Sequence, residues 1–128
     1  MAKKEWVKEW LTTAKKDLEE AEFLFANHRP TEDVVYFLQQ AAEKGLKGYL
    51  ICHGWKLQKI HDVRTLLGEA IKSDESFEAF VPTASYLTEF YFKSRYPPWG
   101  EIDLEEEEIE EKFTDVKRLF MLIEAKII

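Results

Sequence analysis

The residues able to do chemistry fall into two clusters and one isolated carboxylate. The first cluster lies in SRYPPWG, residues Ser94 to Gly100. Arg95 offers a planar, always-charged fork of donors that suits a phosphate. Tyr96 and Trp99 offer faces on which a base can stack. Pro97 and Pro98 restrict the loop, so holding the arginine in place costs less entropy. The plainer reading pairs Arg95 with a carboxylate at the edge of the core and uses the aromatics as a plug. The second cluster is Gln40, Lys44 and Lys47, all on one predicted helix. Its plainer reading is a solvated face. The isolated carboxylate is Asp17, which interrupts an apolar stripe and therefore needs a donor or a cation. Arg95, Lys44 and Lys47 are its expected partners. Asp17 either pairs at the core edge or orients a cation at a site.

Other chemistries lack their signatures. The three histidines, His28, His53 and His61, include no Glu-x-x-His and no pair at i, i+4, so neither a di-iron bundle nor a zinc helix is predicted. The single cysteine, Cys52, excludes an intramolecular disulfide. The glycines form no phosphate loop, and no Ser or Cys stands in a nucleophile context. No metal and no cofactor is expected. The net charge of −7 argues against a general duplex-binding surface, which needs a basic face. Arg95 is the only cation between Lys93 and Lys112, so a nucleotide or a short RNA strand fits it better than a long polyanion.

Helices must position these residues, because no segment alternates apolar and polar residues as a strand would. The organising element is Thr31 to Gly54, with Thr31 as its N-cap and Gly54 as its C′ stop. At 100° per residue, Val34, Leu38, Ala41, Gly45, Tyr49 and Cys52 share one face. Gly45 and Gly48 each cost about 1 kcal/mol relative to alanine, which predicts neighbours packed closely enough to offset that cost. Tyr36, Gln39, Gln40, Glu43 and Lys47 are placed on the opposite face. Leu50 and Ile51 are read as outward and hence as part of a dimer contact.

Glu5 to Ala26 forms an earlier helix, whose stripe runs from Trp6 and Val7 through Leu18 to Phe25. Asp62 caps a short helix carrying Val63, Leu66, Leu67, Ala70 and Ile71. A further helix spans about Phe77 to Lys93, with a kink or a restart at Pro82. Asp103 and Glu106 have capping-box spacing for the last helix, whose stripe is Ile109, Phe113, Val116, Phe120, Ile123 and Ile127. The expected fold is all-α: an up-and-down antiparallel bundle of four main helices plus one short helix, in a single domain over residues 1–128. A hydrophobic share of 45% supports a packed core in a chain of this length. No apolar run reaches the roughly 20 residues of a membrane span, and the N-terminus lacks a signal-peptide pattern. A cytoplasmic protein without membrane contact is expected.

Four segments together resemble the HEPN family, small helical proteins with proposed nucleotide binding. They are TAKKDLEEAEFL with Asp17, FLQQAAEKGLKGYL with Gln40, Glu43, Lys44 and Lys47, HDVRTLL with His61, and YFKSRYP with Arg95, Tyr96 and Pro97. The resemblance covers roughly Trp6 to Phe120. It implies a helical bundle, a homodimer, and a minimal nucleotidyltransferase as partner, in some cases within a toxin–antitoxin pair. Active members are metal-independent RNases whose motif is Arg, four to six residues, then His. Here no His follows Arg95. The expected function is a nucleotide-binding and interaction module with Arg95, Tyr96, Trp99, Lys44, Lys47 and Asp17 as ligand-binding residues. The alternative is an RNase with a degenerate site.

Overall fold

A computed structural model of the chain describes the backbone of residues 2–95 and 104–127, and the side chains of 3–93 and 104–127. Five α-helices follow one another: α1 (Ala2–Ala26), α2 (Thr31–Cys52), α3 (Val63–Ser73), α4 (Val81–Arg95) and α5 (Glu106–Ala125). A 3-10 segment, Glu75–Phe80, joins α3 to α4. There is no strand among the described residues, and the fold is all-α as predicted.

Cross-helix contacts give the directions. Lys44 of α2 meets Asp17 of α1 while Lys47 meets Trp10, so these two run antiparallel. Tyr36 stacks with Tyr91 while Tyr49 packs on Phe77, so α4 runs against α2. Thr83 donates to Asp115 and Lys112 covers Tyr86, so α5 runs against α4. The four long helices thus go up, down, up and down. The short α3 is reached by an extended crossover. After Gly54 (φ +92°) the chain returns along α2 until the His61 carbonyl accepts from Gln39. Asp62 then caps α3 by accepting the Arg64 N–H.

The core contains the predicted stripes. Val34, Leu38, Ala41 and Tyr49 of α2 are buried, as are Ala14, Leu18 and Ala21 of α1 and Ile109, Val116 and Ile123 of α5. The glycine prediction holds at both positions. A β-carbon on Gly45 would stand 3.0 Å from the Phe120 ring, and one on Gly48 would stand 3.1 Å from Leu11 and 3.3 Å from the Trp10 β-carbon. The missing side chains let α5 and α1 press against α2. Pro82 is the second residue of α4, where its missing N–H costs no helical bond. The helix restarts there.

Several local expectations are corrected. Pro30, not Thr31, occupies the N-cap of α2, and its carbonyl accepts from Asp33 and Val34. The first helix starts at Ala2 rather than Glu5. Glu105 is the N-cap of α5 and makes no side-chain cap, so the Asp103–Glu106 box does not start that helix. Asp103 itself lies outside the described residues. Trp6, expected in the α1 stripe, is 43% exposed. The largest correction concerns α2. Leu50 and Ile51 are buried within this chain, and so are Gln39, Glu43 and Lys47. Two neighbours account for it: the return of residues 55–62 along α2, which brings His61 to Gln39 and Glu43, and α1, whose Trp10 ring lies beside the Lys47 ammonium. Leu50 and Ile51 therefore do not form a dimer surface.

Candidate functional site

The polar residues of α2 are organised by a spacing of four. Gln39, Glu43 and Lys47 form one row, and all three are buried. A buried charge needs a partner and a buried amide needs hydrogen bonds, so the row is stable only as a set. Lys47 Nζ lies 3.0 Å from Glu43 Oε2. The Gln39 amide donates to Glu43 Oε1 at 3.2 Å and to the His61 carbonyl at 2.9 Å. Both of its partners are acceptors, which fixes the orientation of the carboxamide. His61 Nδ1 donates to Glu43 Oε2 at 3.1 Å. The Lys47 ammonium also sits 5.6 Å from the centre of the Trp10 ring. One carboxylate thus ties α2 to the crossover, while its lysine reaches the α1 indole.

Asp17 meets a cation, as its position in an apolar stripe required. Its partner is Lys44, at 2.7 Å, with both side chains less than a quarter exposed. Lys44 also lines a small groove with Trp6, Trp10 and Thr13. Of the sequence-predicted site residues, the structure brings together Asp17 with Lys44 at the α1–α2 seam. It places Lys47 one turn further along α2, engaged by Glu43. The side chain of Arg95, together with Tyr96 and Trp99, lies outside the described residues. Tyr91, one turn before Arg95, stacks on Tyr36, two turns before Lys44.

The Glu43–Lys47 contact is the i, i+4 pair that the spacing of the two residues predicts, but sequence reasoning missed that Gln39 and His61 join it in one network. Its signal was present as Gln, Glu and Lys at i, i+4 and i+8, with a histidine just before a helix cap. His61 is the exposed member, with a side chain 64% accessible. With Nδ1–H engaged by Glu43, a neutral ring carries its lone pair on Nε2. Such an imidazole can accept a proton or a hydrogen bond from a ligand. His53 is used differently: its Nε2–H donates to the Lys126 carbonyl at 3.0 Å, and its ring packs 4.4 Å from Tyr49.

Elsewhere the electrostatics are structural. Hydrogen bonds from Ser76 and the Lys126 ammonium hold the Asp74 carboxyl well below the usual carboxylate range. The same contact raises Lys126 and ties the end of α5 to the start of the 3-10 segment. Burial, then Glu108 and Glu111, push the Tyr86 phenol up to about 12. No group of three His, Cys, Asp or Glu among the described residues can hold a metal ion. No helix among them is long and apolar enough to cross a membrane.

Comparison with known proteins agrees with this architecture. Residues 7–126 match the HEPN domain, and the chain belongs to the HEPN family. The crystal structure of ST0689, described as an archaeal HEPN homologue, superposes with a TM-score of 0.73 at 25% identity, covering 95% of this chain and 98% of that one. TT1696 from Thermus thermophilus has the same fold, with a TM-score of 0.81 at 24% identity over 94% of this chain and 97% of its own. No curated protein matches the sequence.

Proposed function

We propose that this chain is a binding and interaction module. It takes a nucleotide or the phosphate of a short RNA strand, and it acts with a minimal nucleotidyltransferase in a toxin–antitoxin pair. The observation that carries this reading is how the histidines are used. Cleavage by the family's motif requires a His shortly after the Arg, and none follows Arg95. His53 is tied to the Lys126 carbonyl through Nε2. An arginine without its acid–base partner can still bind phosphate, which favours binding over cleavage. Arg95, Tyr96 and Trp99 keep the ligand role in this proposal. Lys44 and Asp17 support it indirectly, as the ion pair across the α1–α2 seam, and Lys47 does so through Glu43 on its own helix and the Trp10 ring of α1. A homodimer remains part of the reading, on a surface other than Leu50 and Ile51.

One observation favours a second reading, an RNase with a diverged site. His61 is held through Nδ1 by a buried carboxylate, an arrangement that orients an imidazole as a general base. Calorimetric titration with a panel of nucleoside mono-, di- and triphosphates tests the first reading. Saturable binding is expected, and Arg95→Ala weakens it by about 1.5–3 kcal/mol with helicity unchanged. Absence of any nucleotide binding to the wild type at millimolar concentration would contradict it.

A further inference from the structure

α5 runs beside the second half of α1 and not beside its first half. From the Phe25–Phe113 ring contact, α5 follows α1 antiparallel through Glu22–Lys117 at 3.3 Å to Lys15–Glu124 at 2.8 Å. There it stops. Its end is drawn aside by Lys126, whose side chain reaches Asp74 at 2.9 Å and whose carbonyl takes the His53 N–H. Beyond that point lies an open groove of about 640 Å³ with Val7, Leu11, Cys52 and Ile127 among its lining residues. Lys3, Lys4, Lys8 and Lys15 also line it, and no acidic residue does among those described.

The spacing of the lysines suggests the shape of the occupant. Lys4, Lys8 and Lys15 are i, i+4 and i+11, which on an α-helix fall within about 40° of one another and span about 16 Å. They flank an apolar row of Val7 and Leu11, one turn apart. Cations beside an apolar seam are how helices select a partner helix with carboxylates at matching positions. The first pairing of this kind is already made inside the chain, by Lys15 and Glu124. Among the described residues its lining has no aromatic on which a base could stack, which disfavours a nucleotide. Its concavity suits a ridge of side chains better than a flat bilayer.

We infer that this groove docks an acidic amphipathic helix of a partner protein, which continues the track of α5 along α1 and pairs its carboxylates with Lys4 and Lys8. The inference rests on the interaction-module reading for the existence of a partner, but its surface is separate from Arg95. The probe is a synthetic helical peptide of about 20 residues with Leu on one face and Glu flanking it. Fluorescence anisotropy is expected to show saturable binding, and the peptide is expected to slow maleimide labelling of Cys52. Lys4→Glu with Lys8→Glu should weaken binding about tenfold or more. The same variant should gain affinity for a peptide with Lys in place of Glu. Both substitutions are at exposed positions, and unchanged circular dichroism checks that the fold persists.

Several results would overturn the inference. One is no binding at about 100 μM peptide, weaker than the affinity expected of a specific helix-in-groove contact. Another is binding that ignores both charge reversal and Cys52. A third is anionic phospholipid vesicles capturing the protein through Lys4 and Lys8 while the peptide does not. A fourth is a dimer that already shields Cys52 and dissociates in the double variant, which would assign the groove to a second copy. Nucleotide titration of the double variant separates the two proposals: binding unchanged from wild type leaves the Arg95 reading standing whatever the peptide does.

Discussion

Two lysine-bearing regions lie on the same pair of helices and behave in opposite ways. At the middle of α2, Lys44 and Lys47 meet Asp17 and Glu43 and lie largely out of water. At the start of α1, Lys4 and Lys8 are exposed beside an apolar groove, and no acidic residue lines it among those described. The residue type is the same and the helical setting is similar. What differs is whether a carboxylate meets the ammonium: Lys44 and Lys47 each have one at 3.0 Å or less, whereas Glu5 and Glu9, although near Lys4 and Lys8 in sequence, make no ion pair with them among the described residues. Closed pairs fix the scaffold, whereas unmatched lysines along an apolar row define a surface for another molecule. Lysine content alone therefore says little about an anion site, and the local count of opposing charges says much more.

The contrast is sharpest in stability. Lys47→Ala leaves Glu43 buried with only His61 and Gln39 for company, and is expected to cost about 3–5 kcal/mol in urea unfolding, the range for breaking a buried pair. Lys8→Ala should stay within about 0.5 kcal/mol of wild type, as exposed substitutions do. A loss below about 1 kcal/mol for Lys47→Ala would place it with surface pairs and break the distinction.

A smaller effect tests how tightly α2 is held. Gly45→Ala gains about 1 kcal/mol in helix propensity but forces a methyl to within 3.0 Å of the Phe120 ring. Overpacking typically costs about 1–3 kcal/mol, so a net loss near 1 kcal/mol is expected. Gly68→Ala meets nothing within 4 Å and should instead stabilise α3 by up to about 1 kcal/mol. Thermal unfolding of the two variants reads the opposite signs directly. Equal signs would mean that α5 does not press on Gly45.

A third lysine environment gives a pH signature. Tyr86 lies under the Lys112 ammonium, 4.9 Å from its ring centre, yet its phenol is pushed up to about 12 by burial and by Glu108 and Glu111. An unfolded tyrosine ionises near 10. The folded state therefore binds the proton more tightly, its contribution to stability is intact below about pH 10, and it fades between about pH 10 and 12. Ultraviolet titration should show one phenol ionising late, and Tyr86→Phe should remove it. Loss of the late phase in unfolded protein but not in Tyr86→Phe would reassign the group.

Much of this arrangement was legible in the sequence. The apolar stripes of α1, α3 and α5 were readable from period alone, because each of those helices buries one face. Asp17 was readable as a paired carboxylate because it interrupts such a stripe. Gln39, Glu43 and Lys47 were misplaced because a single-helix wheel knows nothing of chain arriving 22 residues later, where His61 comes back to Gln39. Leu50 and Ile51 are buried as well, which removes the expected dimer surface. The α5 cap failed for a local reason: several acidic residues in a row offer alternative starts, and the helix begins after Glu105. Arg95, Tyr96 and Trp99 were legible as types suited to a nucleotide, although their side chains lie outside the described residues.

We propose that this HEPN chain binds and does not cut. Its most direct test incubates the purified protein with a short end-labelled RNA in EDTA and reads binding and cleavage in the same samples. A shifted, intact RNA is expected, with the shift weakened in Arg95→Ala and retained in His61→Asn. Metal-independent cleavage by the wild type, abolished by either Arg95→Ala or His61→Asn, would contradict it.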